Sequence, residues 1–264
     1  MGSNPTLGYF RKNNMSTYFI GDIHGELGKL EALLKVVEAK DSNPKYIFLG
    51  DYVDRGPCSR GVLALLQELE AKGHVCIAGN HDYMMADGYR GHMDQRYLWL
   101  INGGGDTEVS YWRSEDQIEK DIAWIRTLPR WYETDDFYAS HAPVAKHYLQ
   151  PEFAQVVHYK SRDSLCWFYD EPEGSVEFDM INKRGKIGVC GHIHALRRGI
   201  CGPRFYPHYW FVDGGCGCSP KGNLIAACLE EKIWYNQTGH VEKIEETQPW
   251  MNSEHLGKTN PTDG

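Results

Sequence analysis

A repeated strand, loop and helix pattern near the start of the chain most restricts how it can fold. Apolar, strand-like runs occur at residues 17–20, 45–49 and 75–78, and helices with one apolar face are predicted over residues 27–39 and around residues 62–69. Strands that are joined through helices lie parallel in one sheet, with the following loops at the carboxyl ends of the strands. The sequence therefore predicts an α/β fold in which these loops come close together.

Further strand-like runs extend the fold beyond this repeat. Residues 137–140 and 187–190 are predicted as two more strands, and residues 209–212, 224–228 and 232–235 as short antiparallel strands of a second sheet. The segment between the third and fourth strands has a helical pattern and is rich in tryptophan. We expect most of its tryptophans to serve in core or lid packing.

Composition and charge limit the domain organisation and the classes of partner. A hydrophobic content of 41% in 264 residues supports a sizeable core. We predict a catalytic domain over residues 15–246, a flexible arm or tag over residues 1–14 and a disordered polar tail over residues 247–264. The net charge of −8 provides no general attraction for nucleic acid or for anionic membranes.

Hydropathy and cysteine usage predict a soluble, cytoplasmic protein. The sequence has no run of about 18 apolar residues and no signal-peptide core. Three of the eight cysteines, Cys76, Cys190 and Cys228, lie in strand-like runs, which favours reduced thiols over disulfides. Cys216 and Cys218 could bind a metal or form a redox pair, but they lack the other ligands of a zinc site, and their role stays open.

The predicted strands that begin at residues 17, 45, 75, 137 and 187 are each followed by a side chain that can bind a metal. These residues are Asp22 with His24, Asp51, Asn80, His141 and His192. One histidine after a strand is usually an ordinary turn or core residue, but that explanation would have to hold repeatedly at the edge where α/β sheets place their sites. Oxygen donors mixed with imidazoles favour manganese, iron or zinc over magnesium or calcium.

The loop Gly-Asp-Tyr-Val-Asp-Arg-Gly at residues 50–56 concentrates charged groups directly after the second strand. Asp51 at the strand end could bridge two metal ions, Asp54 could orient a general acid, and Arg55 could bind phosphate oxygens in a bidentate manner. The two glycines permit the tight backbone turn that brings these groups together. The loop thus suits a two-metal phosphoesterase.

Three blocks together resemble the signature of the phosphoprotein phosphatase (PPP) family of metallophosphoesterases. They are Gly-Asp-Ile-His-Gly at residues 21–25, the loop at residues 50–56, and Gly-Asn-His-Asp at residues 79–82. The stretch Trp-Leu-Ile-Asn-Gly-Gly-Gly at residues 99–105 further resembles the bacterial and bacteriophage branch. The resemblance covers residues 17–232, and it implies a calcineurin-like fold, a central β-sandwich flanked by helices.

The resemblance also implies two divalent metal ions, Mn²⁺ or alternatively iron or zinc, and a role for each residue of the blocks. Asp22 and His24 would bind the first ion, Asp51 would bridge both, and the second site would be completed by Asn80, His141 and His192. A hydroxide that bridges the two ions would attack phosphorus directly, without a phosphoenzyme.

The remaining implied roles concern proton transfer and phosphate binding. His81 would be the general acid, oriented by Asp54, because an imidazole titrates near the working pH. Arg55 and Arg162 would bind the non-bridging phosphate oxygens. Arg162 could alternatively be an exposed residue that pairs with Asp163.

The sequence departs from the family pattern in ways that bear on the substrate. Asp82 stands where the eukaryotic serine/threonine enzymes have glutamate, and their C-terminal signature loop is missing. His194 follows His192 by two residues, as in the wider superfamily, where this second histidine binds the first metal. Whether His194 is a ligand or an exposed residue beside the site stays open.

We therefore predict a phosphomonoesterase that acts on phosphoserine or phosphothreonine, with phosphotyrosine as a further option. Its predicted partner is a phosphorylated protein or peptide or, alternatively, a small phosphate ester. The alternatives are a hydrolase of diadenosine tetraphosphate or another nucleotide, a phosphodiesterase, and a non-catalytic metal-binding module. No nucleic-acid or membrane partner is predicted, and the oligomeric state is open.

Overall fold

The computed structural model describes residues 15–143, 186–194 and 202–246. The predicted arm and tail at the two ends of the chain, and Arg162, lie outside these residues. None of the described helices has the length and apolar character needed to cross a membrane.

The first sheet contains the three parallel strands that the repeat predicts. These are β1 (Ser16–Ile20), β2 (Pro44–Phe48) and β3 (Val75–Cys76), and β2 pairs in parallel with both of the others. The third strand is shorter than predicted, because the chain turns at Gly79 into a helix that begins at Asn80. The parallel half of the predicted fold is confirmed.

A second sheet is built around the two later predicted strands. Its order is β4-β5-β6-β8-β7, in which the three central strands are parallel and the two outer strands antiparallel. The strands are β4 (Trp131–Glu133), β5 (Phe137–Ser140), β6 (Ile187–Cys190), β7 (Arg204–Tyr206) and β8 (Tyr209–Phe211).

The sheet assignment of the last strands was wrong in the sequence prediction. β9 (Ile225–Cys228) and β10 (Ile233–Asn236) were expected in the second sheet, but β9 pairs antiparallel with β1 and extends the first sheet towards β10 and β11 (Val241–Lys243). A strand's own residues reveal that it is a strand, whereas its partner is chosen by long-range packing. The alanines of β9 fit the crowded position beside β1.

Within the described residues, six α-helices accompany the sheets. They are α1 (Leu27–Glu38), α2 (Ser59–Ala71), α3 (Asn80–Gly88), α4 (Met93–Trp99), α5 (Gly105–Ser110) and α6 (Glu115–Ile125), with a π-helical turn at Leu100–Gly104 between α4 and α5. The first two helices confirm the predicted amphipathic helices, and their apolar faces pack in one core with Tyr18 and Ile20 of β1.

Alternation along the strands places a second core between the two sheets. Phe19 and Ile47 of the first sheet pack with Phe137, Val189 and Trp210 of the second, since successive side chains of a strand point to opposite faces. The sheets therefore form a sandwich with helices outside it, as the resemblance implied. The residues after β1, β2, β5 and β6 meet where the two sheets come together, so the site is formed by both sheets and not by one edge.

Candidate metal centre and active site

The first donor group gathers around His24. Its Nε2 atom lies 3.9 Å from Asp22 Oδ2 and 3.7 Å from Asp51 Oδ2, and all three side chains are buried. The other ring nitrogen, Nδ1, lies 2.9 Å from the Val53 carbonyl oxygen and donates its proton there. Nε2 is therefore the nitrogen with a lone pair, as metal ligation requires.

The second donor group gathers around His141. Its Nε2 atom lies 2.9 Å from Asn80 Oδ1, 3.2 Å from His192 Nδ1 and 3.3 Å from Asp51 Oδ1. Its Nδ1 atom donates to the Leu49 carbonyl oxygen at 2.8 Å. Because Asp51 offers one oxygen to each group, the structure brings the six predicted ligands into two adjacent sets that share this carboxylate.

The electrostatics of these sets favour a cation. Burial, followed by the charge of Asp213, raises the pKa of Asp22 well above its usual range. Burial opposes protonation of His141, but the carboxylates of Asp51 and Asp22 outweigh it and raise the pKa of His141 to about 10. Buried carboxylates attract positive charge, and without a metal ion the proton that His141 retains supplies part of it. A divalent ion would replace this proton, so the residues fit the metal centre that the resemblance implies.

The backbone of the site is held in a conformation that is rare for residues with side chains. His24, Asp51, Asp54, Arg55 and His192 all have φ between 47° and 72°, in the left-handed region. Each such residue costs about 1–3 kcal/mol and persists only where the surrounding structure enforces it. These backbone conformations direct the side chains that follow the strands towards the two donor groups.

Gly50 is the position at which the turn after β2 tolerates only glycine. Its φ is +100°, and an added Cβ would lie 2.6 Å from the backbone nitrogen of Gly79 and 2.9 Å from His141 Nδ1. The close approach of these chains is what places Asp51 beside the second donor group.

We expect Gly50→Ala to lower the free energy of unfolding by about 3 kcal/mol, because it adds both strain and a clash. Urea denaturation measures this change. The matched control is Gly28→Ala in α1, where an added Cβ meets nothing within 4 Å and helix propensity favours alanine. Equal stability of the two variants would contradict the prediction.

His81 and Asp54 form a buried pair next to the donor groups. His81 Nδ1 lies 2.7 Å from Asp54 Oδ2, and Arg55 Nη2 donates to His81 Nε2 at 2.9 Å. Since a guanidinium only donates hydrogen bonds, Nε2 is the acceptor and Nδ1 carries the proton that points to Asp54. Asp54 therefore fixes the ring of His81 with Nε2 facing the side where Arg55 lies.

Arg55 is held beside the first donor group by three further contacts. Its Nη1 atom lies 2.6 Å from His24 Nε2 and 2.8 Å from Cys218 Sγ, and its backbone N–H donates to the Gly103 carbonyl oxygen at 3.2 Å. The guanidinium thus lies between the candidate ligand His24 and the candidate acid His81. A cation that binds His24 Nε2 would displace the hydrogen bond from Arg55, because both use the same lone pair.

Two residues that position Asp54 were not predicted from the sequence. Trp99 Nε1 donates to Asp54 Oδ1 at 2.9 Å, and Thr107 Oγ1 donates to the same oxygen at 2.8 Å. Most tryptophans of this segment were expected to be packing residues, and Trp99, although fully buried, also has this specific partner for its indole N–H. The available signal was its place at the start of the 99–105 stretch.

We expect Trp99→Phe to reduce kcat about tenfold for an alkyl phosphate ester, because Asp54 loses one of its donors and His81 is held less firmly. An ester with a good leaving group, such as p-nitrophenyl phosphate, should lose much less. Steady-state kinetics on both esters measure the difference. Trp124→Phe, which removes an indole contact to Glu70 on the helical surface, is the control that should leave both rates unchanged.

Asp82, the departure from the eukaryotic pattern, supports the Asp51 loop. Its Oδ2 atom accepts from the backbone N–H groups of Asp51 at 3.0 Å and Gly79 at 2.8 Å, and its Oδ1 atom accepts from Tyr52 at 2.9 Å. Burial, and then the charge of Asp51, raises the pKa of Asp82 to about 7. Asp82 therefore accepts hydrogen bonds from backbone N–H groups of both neighbouring loops.

The sequence did not decide the roles of His194, Cys216 and Cys218. His194 is half-buried, and its Nδ1 atom meets no hydrogen-bond partner within the described parts of the chain. Cys216 Sγ contacts the Ile23 carbonyl oxygen, whereas Cys218 Sγ contacts Arg55, so the two thiols have different partners.

A sandwich of two mixed sheets with carboxylates and imidazoles gathered where the sheets meet is the architecture of the metal-dependent phosphoesterases. The model of the calcineurin-like phosphoesterase family matches residues 15–196, more than half of the chain, and the chain belongs to this family. The predicted fold class and the resemblance to metallophosphoesterases are thereby confirmed.

Relatives within the family differ in the substrates that their names describe. The chain is 37% identical over 93 residues to serine/threonine-protein phosphatase 1 of Salmonella typhimurium, covering 35% of this chain and 41% of that protein. It is 37% identical over 115 residues to the symmetrical bis(5'-nucleosyl)-tetraphosphatase of Coxiella burnetii, covering 43% of this chain and 36% of that protein. The chain thus spans less than half the length of either relative.

A solved structure agrees on the fold alone. The cold-active protein-tyrosine phosphatase of a psychrophilic Shewanella superimposes with a TM-score of 0.60 at 19% sequence identity, over 88% of this chain and 82% of that one.

Proposed function

We propose that the chain is a dinuclear metal-dependent phosphomonoesterase that acts on phosphoserine and phosphothreonine in proteins, with its activity contained in one catalytic domain over residues 15–246. The observation that carries this proposal is that the His81–Asp54 pair and Arg55 lie directly beside two donor sets that share Asp51. A protein that only binds metal has no use for a buried acid pair at this place.

The chain's own residues supply the ligands. Asp22, His24 and Asp51 would hold one ion, and the other would be held by Asp51, Asn80, His141 and His192. The mixed oxygen and nitrogen donors suit Mn²⁺, with iron or zinc as alternatives. When bound, divalent ions supply Lewis acidity, which activates water and offsets the charge of the phosphate group.

Three other side chains would take part in proton transfer and phosphate binding. As an imidazolium, with a proton on Nε2 in place of the hydrogen bond from Arg55, His81 would give that proton to the departing oxygen. Asp54 would accept the hydrogen bond from the Nδ1–H group and stabilise the charged ring before the transfer. Arg55 would bind two non-bridging oxygens and stabilise the charge that develops there, because guanidinium matches phosphate geometry. Trp99 and Thr107 keep Asp54 in place through its other oxygen.

Cleavage of a dinucleoside tetraphosphate is the second candidate function. It is favoured by the similarity to the Coxiella burnetii protein, whose alignment covers slightly more of this chain than that of the Salmonella phosphatase. The same ligands and the same acid serve both reactions, so the substrate has to be decided by kinetics.

The test compares two substrates at equal enzyme concentration with added Mn²⁺. We expect kcat/KM for a phosphothreonine peptide to exceed that for diadenosine tetraphosphate. A strong preference for the dinucleotide would assign the second function. Metal-dependent phosphoesterase activity would be refuted if neither compound is hydrolysed, or if full activity remains after exhaustive chelation.

A further inference from the structure

Asp213 is a buried carboxylate that neither the six predicted ligands nor the acid pair uses. It follows β8 directly and is 2% exposed. Its Oδ1 atom accepts from the backbone N–H of Gly215 at 2.7 Å, but its Oδ2 atom is buried without a hydrogen-bond donor among residues 15–143, 186–194 and 202–246. A buried carboxylate oxygen without a partner is strongly destabilising, so we expect a ligand at this oxygen.

The position of Asp213 identifies that ligand. Gly21, the residue before Asp22, packs so closely on the end of β8 that an added Cβ would lie 3.3 Å from the Cα atom of Asp213. This contact between the two sheets places Asp213 next to Asp22.

An imidazole completes the arrangement. His194 lies close enough to Asp213 to interact electrostatically with its carboxyl group. The Nδ1 atom of His194 is itself buried without a partner within the described residues. Asp213 therefore has a second buried carboxyl group, that of Asp22, and a nitrogen donor without a partner, that of His194, among its neighbours.

We propose that Asp213 belongs to the first metal site and supplies a further carboxylate oxygen to the cation held by Asp22 and His24. The physical reason is charge: two adjacent buried carboxylates repel each other until a cation separates them. Each anionic oxygen near a divalent ion also strengthens its binding. This inference rests on the metal centre of the proposed function.

The test uses Asp213→Asn, which keeps the shape of the side chain and removes its charge. In isothermal titration of metal-stripped protein with Mn²⁺, we expect one binding step to weaken about tenfold or more and the other to stay unchanged. Without metal, the variant should unfold at the same temperature as the wild type or at a higher one, because the repulsion with Asp22 is gone. With Mn²⁺, its unfolding temperature should rise less than that of the wild type.

The matched control is Asp121→Asn in α6, a buried aspartate that accepts hydrogen bonds from Tyr111 and Gln67. It should lower the unfolding temperature equally with and without Mn²⁺ and leave Mn²⁺ affinity unchanged. Asp213→Ser, which also removes the charge without adding bulk, provides a second variant.

Two results would overturn the inference. If Asp213→Asn binds Mn²⁺ as the wild type does, or loses the same stability with and without the metal, Asp213 has only a structural role. The proposed function still stands in that case, provided the wild type binds Mn²⁺ and hydrolyses phosphate esters. A wild type that binds no Mn²⁺ refutes the metal centre and this inference together.

Discussion

Replacing Asp51 by asparagine is expected to lower metal-dependent phosphatase activity about a thousandfold, equivalent to ~4 kcal/mol of transition-state stabilisation. Asp51 offers one carboxylate oxygen to each donor group, with Oδ2 at 3.7 Å from His24 Nε2 and Oδ1 at 3.3 Å from His141 Nε2. Asparagine keeps an oxygen that can accept the His81 backbone N–H, now 2.9 Å from Asp51 Oδ1, but it removes the negative charge that both sites share.

The measurement combines kcat on a phosphopeptide with the number of Mn²⁺ ions retained after gel filtration. The control is Asp136→Asn, an exposed aspartate before β5, which should keep full activity and metal content. An Asp51→Asn variant that retains two ions and more than a tenth of the wild-type activity would contradict a shared carboxylate.

Replacing His81 by asparagine is expected to lower kcat by roughly 10²–10⁴-fold on phosphoserine or phosphothreonine peptides, whose departing alkoxides need a proton. The loss should be far smaller on p-nitrophenyl phosphate, because nitrophenolate leaves without protonation. Mn²⁺ content should be unchanged, since His81 is predicted to act as an acid and not as a ligand.

Asp54→Asn provides the companion variant for this prediction. It leaves His81 in place but replaces the oxygen that holds Nδ1 at 2.7 Å, so it should show the same dependence on the leaving group with a smaller loss. If His81→Asn slows both kinds of ester equally, or if it releases a metal ion, the general-acid role is wrong.

The amino-acid sequence by itself determined the parallel strands of the first sheet and the identity of the candidate ligands. Apolar runs of four or five residues, glycine-bounded loops and helical periodicity are local properties, so β1, β2 and the two helices that follow them could be read directly. Asp22, Asp51 and His141 were recognisable because they stand immediately after such runs and within blocks of a known family.

Only the tertiary structure decided which strands are neighbours and which side chains support the site. His192 donates its backbone N–H to Asp22 across 170 residues of sequence, and Trp99 reaches Asp54 across 45. Contacts of this kind depend on how two sheets pack, and no local pattern encodes that packing. The placement of β9 beside β1, and of Asp213 beside Asp22, follows from the same cause.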